Sequence, residues 1–473
     1  MKLVSTRDVA AATRSYTDVL LEGLAPDGGL YAPTEYPAFS QEELVALKES
    51  SYQTVALLTK QKLVGDAMPE EALAKCISQA YQTGEKGFEV LDDQFTPVRA
   101  IGEQLYLQNL SLGPTAAFKD LALQQLAQEM EYELTERDAT LRILGATSGD
   151  TGSAAEAGMK GLSRVKLFML SPEEGMSEFQ KAQMGLLSGE NIFNISIEGR
   201  FDDCQDLVKS IKQQPEFADL GAVNSINWGR ISSQVPYYVS GYLQAVRAVG
   251  DPVDFVVPSG NFGNVLSGYI ARAMGIPIRR LIIATNENNV LHKLITTGVY
   301  ELSPANVTSS PSMDISKASN YERLVFDLFE HDAAKTADYM TQFSEQGSVD
   351  LTSFGLSETT FAEHNFFSGQ SDHGARLATI AETYKTADTV IDPHTADGVT
   401  VAKSYLDAGE GVPMVCMETA LPVKFEHTIK EALGFVPERP DRFKGLEAAV
   451  RKDAFMVMKP EQATLQDFIR ANS

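Results

Sequence analysis

Cysteine is scarce in this chain, and the three that occur, Cys76, Cys204 and Cys416, stand far apart. An odd, widely spaced set fits reduced thiols and argues against both a disulfide framework and a cysteine-based zinc site. Histidine is sparse as well. His292, His331, His364, His373, His394 and His427 never fall into the His-Glu-x-x-His spacing of a zinc hydrolase, so no metal site is expected. Positive charge is short: 40 Lys and Arg face 64 Asp and Glu, a formal net charge of −24. That balance argues against nucleic acid as a partner, because phosphates demand a cationic footprint. No apolar run approaches the ~20 residues of a bilayer span, and the start, Met1-Lys2-Leu3-Val4-Ser5, lacks the apolar stretch of a secretory signal. The expectation is a cytoplasmic protein that meets neither membrane nor nucleic acid.

Two common catalytic signatures are missing too. The segment Gly145-Ala146-Thr147-Ser148-Gly149-Asp150-Thr151-Gly152 looks like a nucleotide P-loop but lacks its Gly-Lys-Ser/Thr grip. No Gly-x-Ser-x-Gly elbow offers a serine nucleophile. Internal repeats and low-complexity tracts are also lacking. What remains is a chain of 473 residues, 43% hydrophobic and 22% charged, long enough for two or three domains with substantial cores.

Three features stand out in it. Leu141 to Leu144 reads as a strand running into the glycine-rich loop Gly145 to Gly152, and Val253 to Val257 as a strand running into Ser259-Gly260-Asn261-Phe262-Gly263-Asn264. Helix N-termini with bare N–H groups bind anions, so two such loops suggest two anionic groups held at once. The third feature is Lys119, in Gly113-Pro114-Thr115-Ala116-Ala117-Phe118-Lys119-Asp120. A lysine in a helix's first turn opposes the macrodipole, a poor placement unless its nitrogen is a Schiff base or its pKa is depressed. Any phosphorylated ligand of so acidic a chain needs a local cationic pocket, for which Lys181, Arg200 and Arg230 lie between the two loops.

From about Leu105 onward strand and helix signals alternate, which predicts α/β architecture with largely parallel sheets. Leu105 to Gln108 reads as a strand, and further strand-helix pairs are predicted to begin at Val165, Ile192, Val223, Leu281, Thr389 and Pro413. Phe118, Ala122, Leu126 and Met130 form an i, i+4 stripe on the helix that starts at Lys119. Open sheets of this kind bind ligands beyond their strand carboxyl ends, where these loops gather. The first 95 residues read as mostly helical, with amphipathic candidates at Gln41 to Leu58 and Pro69 to Tyr81. The region 301–374 reads as an irregular insertion, with helices at about Tyr321 to Phe329 and Asp332 to Gln346. Among the histidines His394 is singled out, in a loop after a predicted strand.

Further segments complete a pattern. Ser5-Thr6-Arg7 precedes Glu22-Gly23-Leu24-Ala25-Pro26-Asp27-Gly28-Gly29-Leu30-Tyr31; later come Ser312-Met313-Asp314-Ile315, Asp392-Pro393-His394-Thr395 and Met417-Glu418-Thr419-Ala420. Together with the Lys119 motif and the two loops, and in this order over almost the whole chain, they resemble the pyridoxal-phosphate enzymes of the tryptophan synthase β-subunit type. Within that type the chain is similar to the threonine synthase family, in its longer fungal and bacterial branch. The resemblance implies an α/β, tryptophan synthase β-like fold (fold type II): a mainly helical N-terminal domain, 1–95, and a catalytic region, 96–473, with two open parallel-sheet subdomains and the 301–374 insertion.

It implies a site as well. Pyridoxal 5'-phosphate is held by Lys119 as a Schiff base, its phosphate by Gly260, Asn261, Phe262, Gly263 and Asn264, its pyridine nitrogen by Thr419, and its phenolic oxygen lies near Asp150. Related lyases often carry asparagine at that last position. Thr147, Ser148, Gly149 and Thr151 receive the substrate carboxylate, and Lys181, Arg200, Asn227 and Arg230 are the candidates around its phosphate. The implied reaction converts O-phospho-L-homoserine and water to L-threonine and phosphate, Lys119 moving protons while the cofactor serves as electron sink. The alternatives are a threonine or serine dehydratase or an O-phosphohomoserine phospholyase of the same fold, or a non-catalytic relative. The longer branch suggests a monomer, with a homodimer as the second possibility.

Overall fold

Period-two alternation along buried strands sets the architecture. The computed structural model describes residues 1–84, 87–173, 176–217, 219–406 and 411–473. Its strands are β1 (Leu3–Ser5), β2 (Tyr31–Pro33), β3 (Val98–Ala100), β4 (Leu105–Asn109), β5 (Leu141–Ala146), β6 (Val165–Pro172), β7 (Ile192–Ile197), β8 (Val253–Pro258), β9 (Ile278–Thr285), β10 (Val299–Glu301), β11 (Ser348–Asp350), β12 (Phe366–Gln370), β13 (Met414–Glu418) and β14 (Met456–Met458). A six-stranded sheet has the order β12-β9-β8-β13-β4-β3, parallel except for the edge strand β3; a four-stranded sheet has the order β14-β7-β6-β5, parallel throughout. Parallel strands need crossovers, and the helices that supply them cover both faces of each sheet.

Neighbouring residues of one strand therefore enter different cores. Phe255 and Val257 of β8, Leu281 and Ile283 of β9 and Val415 and Met417 of β13 join the largest core, while Val256, Ile282 and Cys416 join a second one with Ile380, Val399 and Ile429. The smaller sheet divides likewise. Ile143, Leu167 and Met169 face the largest core, and Leu144, Phe168, Leu170, Ile195 and Ile197 face a third. The stripe on helix Lys119–Glu136 lies as its spacing predicts, with Ala122, Leu126 and Met130 buried.

Three expectations need correction. Gln41 to Leu58 is two helices, Gln41–Leu47 and Tyr52–Val64, because Ser51 caps the second by accepting the Thr54 N–H at 3.3 Å. No strand begins at Val223. The carbonyls of that segment are taken by side chains instead: Val223 by Arg230 Nη1 at 3.0 Å, Ser225 by Asn320 Nδ2 at 3.0 Å and Ile226 by Arg323 Nη2 at 2.6 Å. No strand begins at Thr389 either; the chain passes directly to helix Pro393–Lys403, whose start Asp392 caps. The region 301–374 holds the β10–β11 pair, helices Tyr321–Leu328 and Ala333–Gln346, and β12, which returns to the edge of the larger sheet.

The N-terminal segment is welded to the rest. Leu20, Tyr52, Leu73 and Tyr81 share one core with Leu121, Leu126, Trp228 and Tyr237. Inside it Lys60 Nζ lies 3.1 Å from Glu129 Oε1, both side chains fully buried, and donates to Tyr16 at 2.7 Å, Ser232 at 2.9 Å and Ser233 at 3.1 Å. Tyr16 in turn donates to Glu129. A buried ion pair contributes little net stability, but losing one partner strands the other charge. Lys60→Met is therefore expected to cost about 3–5 kcal/mol, lowering the thermal midpoint, and Lys60→Met/Glu129→Gln to recover much of the loss. Equal melting of the single and double variants contradicts this account.

Candidate active site

The loops after β4, β5, β8 and β13 meet beyond the strand carboxyl ends, and Lys119 lies where they converge. Its approach is set by a tight turn: Asp120 accepts the Thr115 N–H at 2.8 Å through Oδ2 and the Thr115 hydroxyl at 2.7 Å through Oδ1. Gly113 is required there, since a Cβ would lie 2.4 Å from that of Asp120. Burial pushes the Asp120 carboxyl up to about 6, partly countered by the Thr115 bonds. The same turn is laced to the chain after β13. Phe118 N–H donates to Thr419 O at 2.9 Å, and Leu421 N–H to Ala116 O at 3.2 Å. Lys119 and Thr419 are thus held on one scaffold.

Asp150 opens the helix Asp150–Met159 after the β5 loop, in which Thr147 Oγ1 accepts the N–H groups of Gly149 at 3.0 Å and Gly152 at 2.8 Å. Ser148 is exposed and Thr151 half-buried at the mouth of this loop. The Asp150 carboxylate is fully engaged. Oδ1 lies 2.7 Å from Lys424 Nζ and accepts from Gln180 at 2.9 Å; Oδ2 accepts from Ser312 Oγ at 3.0 Å and lies 3.5 Å from Lys119 Nζ. Burial raises its proton affinity, but the ammonium groups of Lys424 and Lys119 outweigh that and hold it well below the usual carboxylate range. Lys119 responds in the opposite sense. Burial lowers its proton affinity, Arg230 and Lys424 add to that, and Asp150 opposes them, for a net lowering that favours the neutral amine.

The loop after β8 has the form of an anion cradle. Phe262 adopts the left-handed region at φ 65° and helix Gly263–Ala273 follows, so the N–H groups of its first turn point into the loop. Asn264 Oδ1 accepts from Tyr237 at 2.7 Å and Tyr238 at 2.8 Å. That fixes the amide and leaves Asn264 Nδ2, like Ser259 Oγ, buried without a protein partner among the described residues. Two orphaned donors beside a helix N-terminus are what a bound phosphate group satisfies. Gly260 has no room for a side chain: a Cβ would lie 2.8 Å from Ile315 Cγ1 and 3.2 Å from Met313 Cα. Asn261 O accepts from the Asn320 backbone at 3.2 Å, tying the cradle to the 301–374 region.

The predicted phosphate-pocket residues separate. Arg230 is buried in helix Trp228–Ser232; among the described residues no carboxylate pairs with it, and burial pushes it down to about 10. Asn227 is buried beside it, but both ends of its amide are used, Oδ1 by Gly229 N–H at 2.8 Å and Nδ2 on Leu20 O at 3.0 Å. Lys181 lies on helix Glu178–Leu187, 3.6 Å from Glu178 and a third exposed. Arg200 is exposed at the start of helix Phe201–Lys212, where its N–H donates to Asp203 at 2.6 Å. Arg230 thus lies within electrostatic reach of Lys119, and among the described residues Lys181 and Arg200 make no contact with Lys119 or Asp150.

Sequence reasoning missed Lys424, Gln180 and the part played by Ser312. Lys424 follows the Thr419 motif after Leu421, Pro422 and Val423, and nothing in that local sequence points it at Asp150. Ser312 belongs to a strap pinned by Asp314, whose Oδ1 accepts from Asn286 at 2.9 Å and Asn288 at 2.8 Å. His394 is buried and anchors that strap: Nε2 accepts the Ser312 N–H at 3.1 Å, while Nδ1 faces Asp392 Oδ1 at 2.7 Å, which assigns the ring proton to Nδ1.

Comparison with known families and structures follows the same outline. Residues 2–81 match the family described as threonine synthase N terminus, 93–352 the pyridoxal-phosphate dependent enzymes, and 395–469 the threonine synthase C-terminal family. The chain is 47% identical to the threonine synthase of Methylobacillus glycogenes over 99% of each chain, and 46% identical to that of Corynebacterium glutamicum over 94% of this chain and 93% of that one. Its structure superposes on the PLP-bound threonine synthase of Brucella melitensis with a TM-score of 0.92 at 38% identity, covering 100% of this chain and 99% of that one. For the yeast enzyme the values are 0.91 and 32%, covering 100% and 98%. If Lys119 carries the cofactor, borohydride reduction of the loaded protein followed by peptide mapping should place the adduct on Lys119. An adduct on another lysine, or none at saturating pyridoxal phosphate, contradicts the assignment.

Proposed function

The chain belongs to the threonine synthase family of pyridoxal-phosphate enzymes, and from that premise we propose that this pocket converts O-phospho-L-homoserine and water to L-threonine and phosphate. The observation that carries the reading is the juxtaposition of an enclosed lysine of lowered proton affinity with a buried arginine that no carboxylate pairs among the described residues, and an anion cradle. Bound there, pyridoxal phosphate supplies an electron sink for the carbanions of the reaction. The N–H groups of Gly260 to Asn264, with Ser259 Oγ and Asn264 Nδ2, hold its phosphate. Thr419 would meet the ring nitrogen, where a hydroxyl, unlike a carboxylate, would not hold that nitrogen as a cation. Asp150 would stand beside the phenolic oxygen, and the N–H groups and hydroxyls of Thr147 to Thr151 would bind the substrate carboxylate.

Lys119 Nζ, released as the neutral amine that burial favours, takes the proton from the substrate α-carbon and moves further protons as the reaction proceeds. The bond between the γ-carbon and the phosphate oxygen breaks, and the oxygen of water bonds to the β-carbon. Arg230 holds the phosphate. Charge builds on the departing group as its bond breaks, so a buried cation contributes more in the transition state than in the ground state. We assign the enzyme to the cytoplasm, acting on this small molecule as a monomer.

Purified protein should release threonine and inorganic phosphate one for one. Phosphate without threonine replaces this reading with a phospholyase. Arg230→Ala should lower kcat/KM by about 10²-fold or more, with Lys181→Ala and Arg200→Ala changing it little; near-normal kinetics for Arg230→Ala removes Arg230 from the phosphate pocket.

A further inference from the structure

Lys424 has no part in the reaction as derived, yet it touches the centre of the site. Its side chain is fully buried in the turn Pro422–Phe425, and Nζ donates to Thr115 O at 2.9 Å and lies 2.7 Å from Asp150 Oδ1. We propose that Lys424 is a positioning residue of this active site, whose buried ammonium competes with Lys119 for the Asp150 carboxylate and, through its own charge, disfavours a second ammonium beside it. The proposal rests on the reading of Lys119 as the cofactor lysine.

The geometry is an alternating row of charges, Lys424, Asp150 and Lys119, with Arg230 acting on Lys119 through its charge. Asp150 Oδ1 takes Lys424 and Gln180, while Oδ2 takes Ser312 and stands at the longer distance of 3.5 Å from Lys119. Lys424 is therefore the closer of the two lysines to Asp150, and its contact with Thr115 O ties it to the turn that presents Lys119. A carboxylate shared with Lys424 cannot fully offset a second ammonium, so proton loss from Lys119 is made easier. With Lys424 removed, one buried carboxylate is left for one buried ammonium. Asp150 and Lys119 then become a simple ion pair, and Lys119 is held in its charged form, unable to attack or accept a proton. The other charged groups in this field are Arg230, which acts on Lys119 in the same sense as Lys424, and Asp120, the second carboxyl near Lys424, engaged by Thr115.

The test reads Lys119 itself in the cofactor-free protein, through the pH dependence of its acetylation, mapped by peptide mass spectrometry with the partly exposed Lys181 as reference. Lys424→Met should raise the Lys119 midpoint by about one pH unit or more, and Asp150→Asn should lower it. Lys424→Arg, which keeps the charge, should stay near the wild-type value, an outcome that a merely structural role for Lys424 does not produce. An unmoved midpoint in Lys424→Met, or shifts of the same sign in Lys424→Met and Asp150→Asn, overturns the proposal. Should Lys424→Met fail to fold, Asp150→Asn/Lys424→Met, which removes the charges as a pair, is compared with Asp150→Asn; the added change should raise the midpoint, and no change overturns the proposal. Borohydride mapping of the loaded enzyme separates the two readings. An adduct away from Lys119 defeats the cofactor assignment, whereas the acetylation midpoints report the coupling of the charges alone.

Discussion

A buried carboxylate must find its full complement of donors, and that constraint draws the active site together at Asp150. The partners come from four places: Lys119 after β4, Gln180 in helix Glu178–Leu187, Ser312 in the strap and Lys424 after β13. Burying a lone carboxylate is prohibitive, so none of these segments can drift away without exposing or stranding a charge. In a chain with a net charge of −24 the cationic side chains that matter are few and enclosed. Enclosure makes them effective, since screening by water and salt reaches them least.

The rest of the molecule braces this junction. Arg323 donates to Tyr31 O at 2.7 Å, to Asn320 Oδ1 at 2.6 Å and to Ile226 O at 2.6 Å, so one buried guanidinium joins the N-terminal segment, the 301–374 region and the loop before Arg230. Lys60 reaches the same helix from the other side through Ser232 and Ser233. Arg7 and Thr6 both donate to Glu322, at 2.7 and 2.6 Å, and pin the chain start against helix Tyr321–Leu328. The N-terminal segment and the 301–374 region thus hold Arg230 and the loop after β8 in place.

Local features of this site were legible in the sequence and distant ones were not. Lys119, the loop at Gly145 to Gly152 and the cradle at Gly260 to Asn264 each announce themselves within a few residues, because a strand, a turn and a helix start are local events. The strands β4, β5 and β8 read correctly for the same reason. Lys424 carries no local sign of its contact with Asp150, which lies far away in the chain and is created by the pairing of β13 with β4 and β8. Val223 to Ile226 misleads because its short apolar pattern matches a strand, while its carbonyls are claimed by Arg230, Asn320 and Arg323, which no local pattern reveals. Arg200 and Lys181 were equal to Arg230 as charges; burial distinguishes them, and burial is a property of the fold.

In the proposed reaction, water replaces phosphate on the carbon chain of the substrate. Following the oxygen of water tests this most directly. With O-phospho-L-homoserine in oxygen-18 water, the account predicts label in the hydroxyl group of threonine and unlabelled inorganic phosphate. Label in the phosphate, or label in an oxo acid formed in place of threonine, contradicts it.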